Sequence, residues 1–553
     1  MLLELLEPKE KIKYEMVLAI ERYGVASANA YWFETLPEFA YYKKSRSTYE
    51  RYINEIDNDI KDAGIFDKIP LENRGNALFL EPTSVVQSAY LSNYYLTHSV
   101  KFFLLLLAFR QEKVELTDLC ELVDNNCLPT SNDKEYKGVS KSTIYKKTNM
   151  FNRRFENLGF SFDHNLQLIG NEQQLRVQLH QFFLSNAALF FAEKTLPDKE
   201  LIADFQFIYT QVQEMVNDNP ELFGNMKSEE QLSFAVFLFV SFTRINTKHY
   251  MKRDHLSRYF DIANRIPKEL EPKLTVLRKI LKIFNPPAEV LDLELKNIAV
   301  FFFLYIQPLE NSKLPFSETY SERVDYLLEL FDNSFENVFF LPMENQEREK
   351  IHDILPSIIA RLIYNQDYTR NITMENAYFL RKFPLSCQVA RSYARVLQKE
   401  LYTSALSRND AENVTTHVFL QLVRSIITVF FKSKKIDQPY FRFTPPVFIC
   451  VENMYDPYRN EYIQLILSKH VDKNLIFSEK LTDTTDIFVG NTLPMQDISK
   501  ETTVFLWDKV ISEQMMETFR VVVDKIYLEK MDERRREAHE KARKSLQEKG
   551  ELA

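Results

Sequence analysis

The chain has 553 residues and a mass of 65.6 kDa, with 45% hydrophobic residues, 70 basic against 78 acidic side chains and a net charge of −8. Such a composition can bury several cores and excludes a disordered chain. Only 9 glycines occur, and neither GxGxxG nor GxxxxGK[ST] is present, which excludes the usual dinucleotide and P-loop nucleotide sites and points to a mainly helical protein.

The four cysteines, Cys120, Cys127, Cys387 and Cys450, form no CxxC pair and no zinc-type cluster with histidine. They read as reduced thiols of a cytoplasmic protein. The N-terminus carries acids within its apolar part and does not read as a signal peptide. The longest apolar runs, residues 102–109 and 298–306, fall short of the roughly 20 needed to span a bilayer.

In chain order, residues 9–23 predict a first helix. Residues 36–40 open a second, and Ser45-Arg46-Ser47-Thr48-Tyr49 opens a third. The pentapeptide returns 95 residues later as Ser140-Lys141-Ser142-Thr143-Ile144. Tyr49, Ile53, Ile56 and Ile60 share their spacing with Ile144, Thr148, Phe151 and Phe155, which places each set on one helical face. Ser47 and Ser142 stand where an N-cap is expected, and Gly64 and Gly159 just past the helix ends. A helix over residues 100–110 precedes the second copy, and 116–120 resembles 36–40. There the offset is only 80, so residues 125–138 read as an insertion. Each copy predicts a following hairpin. The first joins 65–70 to 77–80 around Asn73-Arg74-Gly75, and the second joins 160–162 to 166–169 around Asp163-His164-Asn165.

Helix, helix, recognition-type helix and hairpin spell a winged helix-turn-helix, and the charges fit DNA. Seven basic residues oppose only Glu135 between Lys134 and Arg154, a net +6, and Lys43, Lys44, Arg46 and Arg51 oppose only Glu50, a net +3. The rest of the chain then carries −17, a basic reading head on an acidic body. The candidate DNA-binding residues are Lys43, Lys44, Arg46, Ser47, Thr48 and Arg51 in the first copy. In the second they are Lys141, Ser142, Thr143, Tyr145, Lys146, Asn149 and Arg153. The competing reading is a pair of amphipathic helices with solvated basic faces.

Downstream, residues 172–285 and 290–410 are apolar-periodic and nearly free of strand signals, divided at Asn285-Pro286-Pro287. From residue 440 strands alternate with helices, with strand-like runs at 447–451, 475–478, 486–489 and 503–507 and helices at 457–469 and from 510, which predicts a small parallel sheet. The mixed-charge stretch 529–552 reads as a solvated helix or tail.

The tandem units and the phrase Leu166-Gln167-Leu168-Ile169-Gly170-Asn171-Glu172-Gln173-Gln174-Leu175-Arg176 resemble the Mga/AtxA family of Gram-positive transcriptional (virulence) regulators. The resemblance implies two winged helix-turn-helix domains (1–82 and 83–171), two helical PTS-regulation domains (172–285 and 286–438), an EIIB-like α/β domain (439–530) and a charged tail (531–553). It implies binding to double-stranded promoter DNA as a homodimer, with no cofactor and no metal, and regulation by phosphorylation of histidines by HPr of the sugar phosphotransferase system. His249 and His352 are the candidate positions. His249 and His255 flank Tyr250-Met251-Lys252-Arg253, which reads as an exposed basic stretch. His180 reads equally as a core-edge residue. The competing reading for every histidine is an ordinary surface or packing role.

Cys450 stands near the place of the EIIB phosphocysteine, but Val451-Glu452-Asn453-Met454-Tyr455 after it lacks the small residues of a phosphate cradle. A non-enzymatic, buried-strand cysteine is therefore expected. The alternatives are an RNA-binding antiterminator with PTS-regulation domains, disfavoured by the helical N-terminus, and a phosphotransferase.

Overall fold

The computed structural model describes residues 2–80, 86–110, 115, 117, 119–120, 140–156, 160–252, 270–307, 318–343, 345–364, 384–401, 422, 445–452, 457–471, 473–478, 480–494, 501–506 and 512–548. The chain divides into two compact units, residues 1–321 with 359–369, and residues 322–358 with 370–553. Both are helical except for three small sheets.

The first unit begins with α1 (Leu2–Leu5), α2 (Pro8–Tyr23), β1 (Ser27–Asn29), α3 (Ala30–Thr35), α4 (Pro37–Ala40) and α5 (Arg46–Asp62), followed by β2 (Leu71–Asn73) and β3 (Ala77–Leu80). Pro8 opens α2, where a missing N–H costs nothing. Asn29 caps α3 by accepting from the Trp32 amide at 2.9 Å. Ile12, Met16 and Ile20 of α2 bury with Phe33, Phe39, Tyr49, Ile53, Ile56 and Ile60 in one core. Gly64, one residue past the C-cap of α5, takes φ +64, the left-handed value that glycine permits.

The first hairpin lies later than the sequence implies. Its first strand is Leu71–Asn73, not 65–70, and the two-residue turn is Gly75-Asn76, both at positive φ. β3 is also the middle strand of a three-stranded antiparallel sheet, because β1 pairs with its other edge.

The second copy supplies α6 (Ala89–Leu96), α7 (Val100–Arg110), α8 (Lys141–Phe155), β4 (Phe160–Phe162) and β5 (Leu168–Gly170). α7 is buried nearly all round, from Lys101 to Phe109. Lys101 donates to the carbonyls of Glu4 and Leu6, and Lys147 of α8 pairs with Glu7, so the two copies are bound to each other at the start of α2. The insertion at 125–138, residues 116 and 118, and Gly159 lie outside the described residues.

Helices α9 (Glu172–Ser185), α10 (Lys199–Asp218), α11 (Pro220–Phe223), α12 (Ser228–Asn246), α13 (Glu271–Ile283) and α14 (Ala288–Phe301) complete this unit, with π-helical turns at Ala188–Ala192 and Phe302–Ile306. Their core is aromatic. Phe237 stacks on Phe301 at 3.6 Å, and Phe191 on Phe205 at 3.8 Å. The stack on Phe301 carries α14, which follows Asn285-Pro286-Pro287, into the core of the helices that precede it.

Four buried charges cross this core. Glu172 accepts from Arg244 Nε at 2.8 Å and from Arg176 Nε at 3.2 Å. Arg176 also donates to Glu294 at 3.1 Å and to the His249 carbonyl at 3.0 Å. Arg244 reaches the Leu168 carbonyl at 3.0 Å. Burial alone would raise the pKa of Glu172, but the two guanidinium groups outweigh it and hold the carboxyl at about 2.

In the second unit, α15 (Glu318–Phe339), α16 (Asn345–Tyr364) and α17 (Pro384–Leu401) accompany a four-stranded parallel sheet. α15 and α16 cross the unit boundary. The sheet strands are β6 (Val447–Glu452), β7 (Leu475–Ser478), β8 (Ile487–Gly490) and β9 (Thr503–Leu506), in the order β7-β6-β8-β9. α18 (Pro457–His470) and α19 (Glu513–Glu548) cover it through Ile463, Leu467, Phe519, Val523 and Met531. α19 runs without a break past Met531, so the charged stretch continues the helix that closes the sheet.

His180 sits in the aromatic core, its ring edge-to-face with Phe301 at 4.8 Å between centroids and Nε2 donating to the Ser233 carbonyl at 3.1 Å. Burial lowers its pKa from 6.5 to about 4. The folded state therefore favours the neutral ring. Stability from this residue is complete above pH 6.5 and is lost as the pH falls toward 4, by up to about 3 kcal/mol. Thermal unfolding followed from pH 7.5 to 4.5 should show this loss in the wild type and a flatter dependence in His180→Gln.

Candidate nucleic-acid interface

Both recognition-type helices bury the face expected of them. Tyr49, Ile53, Ile56 and Ile60 of α5 and Ile144, Thr148, Phe151 and Phe155 of α8 are all buried. The caps lie two residues earlier than the sequence suggests. Ser45 and Ser140 are the N-cap residues, and Ser47 and Ser142 are exposed in the first turn. Ser140 Oγ accepts from the Thr143 amide at 3.2 Å, while Ser45 Oγ lies 3.0 Å from Thr48 Oγ1. Moving the cap leaves Ser142 exposed beyond it, while Ser47 Oγ stays 3.0 Å from Ser45 Oγ.

The candidate residues of the second copy share one surface. Lys141, Ser142, Tyr145, Lys146, Asn149 and Arg153 are exposed, and Thr143 is half-buried beside the cap. No ion pair engages Lys141, Lys146 or Arg153 among the described residues. α8 holds five cations and no acid. Lys147 is held by Glu7, whereas Lys141, Lys146 and Arg153 are exposed and can meet phosphates.

The first copy differs. Lys43, Lys44, Arg46, Ser47 and Arg51 are exposed and Thr48 is half-buried. Lys43 and Lys44 lie in the turn between α4 and α5, where Lys43 takes φ +47. Arg46 lies 3.6 Å from Glu50, and Arg51 lies 3.7 Å from Glu55. The whole of α5 carries three cations against five acids, a net −2. The +3 that the sequence attaches to this segment therefore belongs to the turn and first residues of the helix. Further along, acids answer the cations.

Each hairpin is tied to its helix at the same repeat position. Asp57 Oδ1 accepts from the Asn73 amide at 3.2 Å. Ninety-five residues on, Asn152 donates to the Phe162 carbonyl and accepts from the Phe162 amide, both at 2.7 Å. The second wing turns through residues 163–167, where Asp163 Oδ1 accepts from the amides of Asn165 and Gln167 and Leu166 takes φ +61. Sequence reasoning passed over Asp57 and Asn152. Their position, on the wing side of a helix three residues after Asn54 and Asn149, is visible once the repeat is aligned.

The histidines are scattered. His249 is half-buried, with Nδ1 3.1 Å from Thr247 Oγ1 and a pKa lowered by burial and then by Arg244. In the stretch after it Tyr250 is half-buried and Lys252 is exposed. Met251 is buried and its amide donates to Glu294 at 2.8 Å, while Arg253 and His255 lie outside the described residues. His352 is paired with Asp332 at 2.9 Å. Cys450 is buried in β6, and burial raises its thiol pKa. Among the described residues, no group of acidic, histidine or cysteine side chains could hold a metal ion, and no helix is long and apolar enough to cross a membrane.

A capped helix with an unopposed cationic face, clamped to a hairpin, defines a helix-turn-helix protein of the DNA-binding transcription-regulator class. The model of the Mga helix-turn-helix domain matches residues 86–183, which hold α6, α7, α8, its wing and most of α9. The chain therefore carries a helix-turn-helix domain of the Mga type. No curated protein matches the chain.

Asn152→Ala should leave the Phe162 amide and carbonyl without their helix partners. The loss expected is about 1–3 kcal/mol in unfolding free energy, with faster hydrogen exchange at the amide of Phe162.

Proposed function

We propose that the chain is a transcription regulator of the Mga/AtxA type that binds promoter DNA through tandem winged helices, with the second as the principal reading head. The observation that carries this reading is the contrast between α8, with five cations and no acid, and α5, with a net −2. Duplex DNA presents closely spaced phosphates, and cations already paired within their own helix gain less by meeting them.

In this reading the helical middle acts as PTS-regulation domains and the C-terminal sheet as an EIIB-like dimerisation or sensing domain. The protein works as a cytoplasmic homodimer and is not an enzyme. HPr is the proposed phosphoryl donor, with His249 and His352 as the acceptor candidates. The contact of the His249 carbonyl with Arg176 supports the former, because charge added there would bear on the buried network. The burial of Cys450 and the raised pKa of its thiol speak for a sheet without phosphotransfer.

A gel-shift titration of the full chain with duplex DNA tests the reading. Binding should weaken steeply with salt. Lys146→Ala with Arg153→Ala should weaken binding to all duplexes alike and reduce the log–log salt slope by about 2. No shift of any duplex at low salt, or a preference for hairpin RNA over duplex DNA, contradicts it.

A further inference from the structure

The two recognition-type helices carry the same outward stripe, and only one has it free. With the 95-residue offset, Ser47 matches Ser142, Arg51 matches Lys146 and Asn54 matches Asn149. Spaced four and three residues apart, these positions lie opposite the buried stripe of each helix.

In α5 both ends of the Asn54 carboxamide are occupied. Its Nδ2 donates to the Glu50 carbonyl at 3.0 Å, and its Oδ1 accepts from Asn73 in the wing. Arg51 is drawn toward Glu55 and over the Tyr52 ring. In α8 the side-chain hydrogen bonds described between the helix and its wing come from Asn152, so Asn149 is released from that duty. Asn149 is exposed, and its carboxamide meets no partner among the described residues. The neighbouring position changes in the same sense. Where α5 has Glu55, α8 has Met150, an apolar side chain left 43% exposed.

We propose that Asn149 reads an adenine in the major groove. An asparagine carboxamide matches adenine's edge with two hydrogen bonds: Nδ2–H donates to N7, and Oδ1 accepts from the N6 amino group. No other base offers an acceptor and a donor in that arrangement on the major-groove side. Met150 beside it suits the methyl group of a thymine, the kind of apolar contact that separates T from C. Lys146 lies one turn earlier, about 4.5 Å along the helix, which sets its ammonium over the neighbouring base pair or its phosphate. The exposed Lys141 and Arg153 would hold the helix in the groove without choosing a sequence.

This inference rests on the duplex-binding reading, and one experiment separates the two. The full chain is used to select from a pool of randomised duplexes, and the enriched site is then titrated against variants with each base at every position. The wild type should fix an adenine at one position, favoured about 5- to 100-fold over the other bases. Asn149→Ala should erase that preference, bringing the selected site down to the level of its variants at that position. Asn149→Asp should shift the preference toward cytosine, whose amino group a carboxylate accepts. The side chain is exposed, so thermal unfolding of both variants should match the wild type and exclude a folding defect. An unchanged preference in Asn149→Ala overturns the assignment. So does a uniform loss across all sequences with a shallower salt slope, the mark of a phosphate contact. Failure of the wild type to bind any duplex overturns the parent reading, and this inference with it.

Discussion

The buried charge network of Glu172, Arg176, Arg244 and Glu294 is the constraint on which the first unit depends. Two carboxylates and two guanidinium groups lie in an aromatic core with almost no contact with water. Removing one partner from such a set strands the others, a cost of about 3–5 kcal/mol. The set is neutral in sum, and each carboxylate meets at least one guanidinium, so the core tolerates it. Its reach gives it meaning. Arg244 holds the carbonyl of Leu168 in the second wing, Arg176 holds the carbonyl after α12, and Glu294 brings in α14. A shift among those helices must either break charge pairs or move the wing strand with them. The second hairpin and the helical core are thus joined at this seam.

The same wing is held from its other side by Asn152, and α8 is held to the first copy through Lys147 and Glu7. The cationic face of α8 is therefore presented by a rigid support, which is what selective recognition of a groove requires. The rest of the sequence is acidic, which in the proposed reading favours approach of DNA at the basic segments over the acidic ones. The first copy shows the same scaffold put to a different electrostatic use. Its recognition-type helix keeps the serine, the cation and the asparagine of the stripe, yet acids within the helix and a wing asparagine engage them.

Much of this was legible in the sequence where the signal was periodic. The buried stripes of α5 and α8, the left-handed Gly64, and the strand at Leu475–Ser478 follow from spacing and from backbone freedom. The helices and parallel strands of the C-terminal sheet fall within a few residues of their predicted places. What escaped depends on contacts remote in sequence. The pairing of β1 with β3 joins residues some fifty apart and leaves no local mark on Ser27–Asn29. The first wing strand was placed too early because 65–70 looks more strand-like than Leu71–Asn73, whose place is set by its pairing with β3. The caps were placed two residues late because both Ser45 and Ser47 satisfy the local rule, and only the backbone decides between them. Glu172 and Arg176 were read as part of a phrase, while their partners Arg244 and Glu294 lie 72 and 118 residues away. For the site, the exposed face of α8 was visible from its periodicity, whereas the ion pairs that quiet α5 needed the acids beyond Glu50 to be counted.

The central claim is that α8 and its wing form the surface that meets DNA. Hydrogen exchange of the full chain with and without duplex DNA at low salt tests this directly. Protection concentrated in Lys141–Phe155 and at residues 163–167, and weaker in Arg46–Asp62, is the result the account predicts. Protection that leaves α8 unchanged while appearing in the acidic helices or in the C-terminal sheet would contradict it.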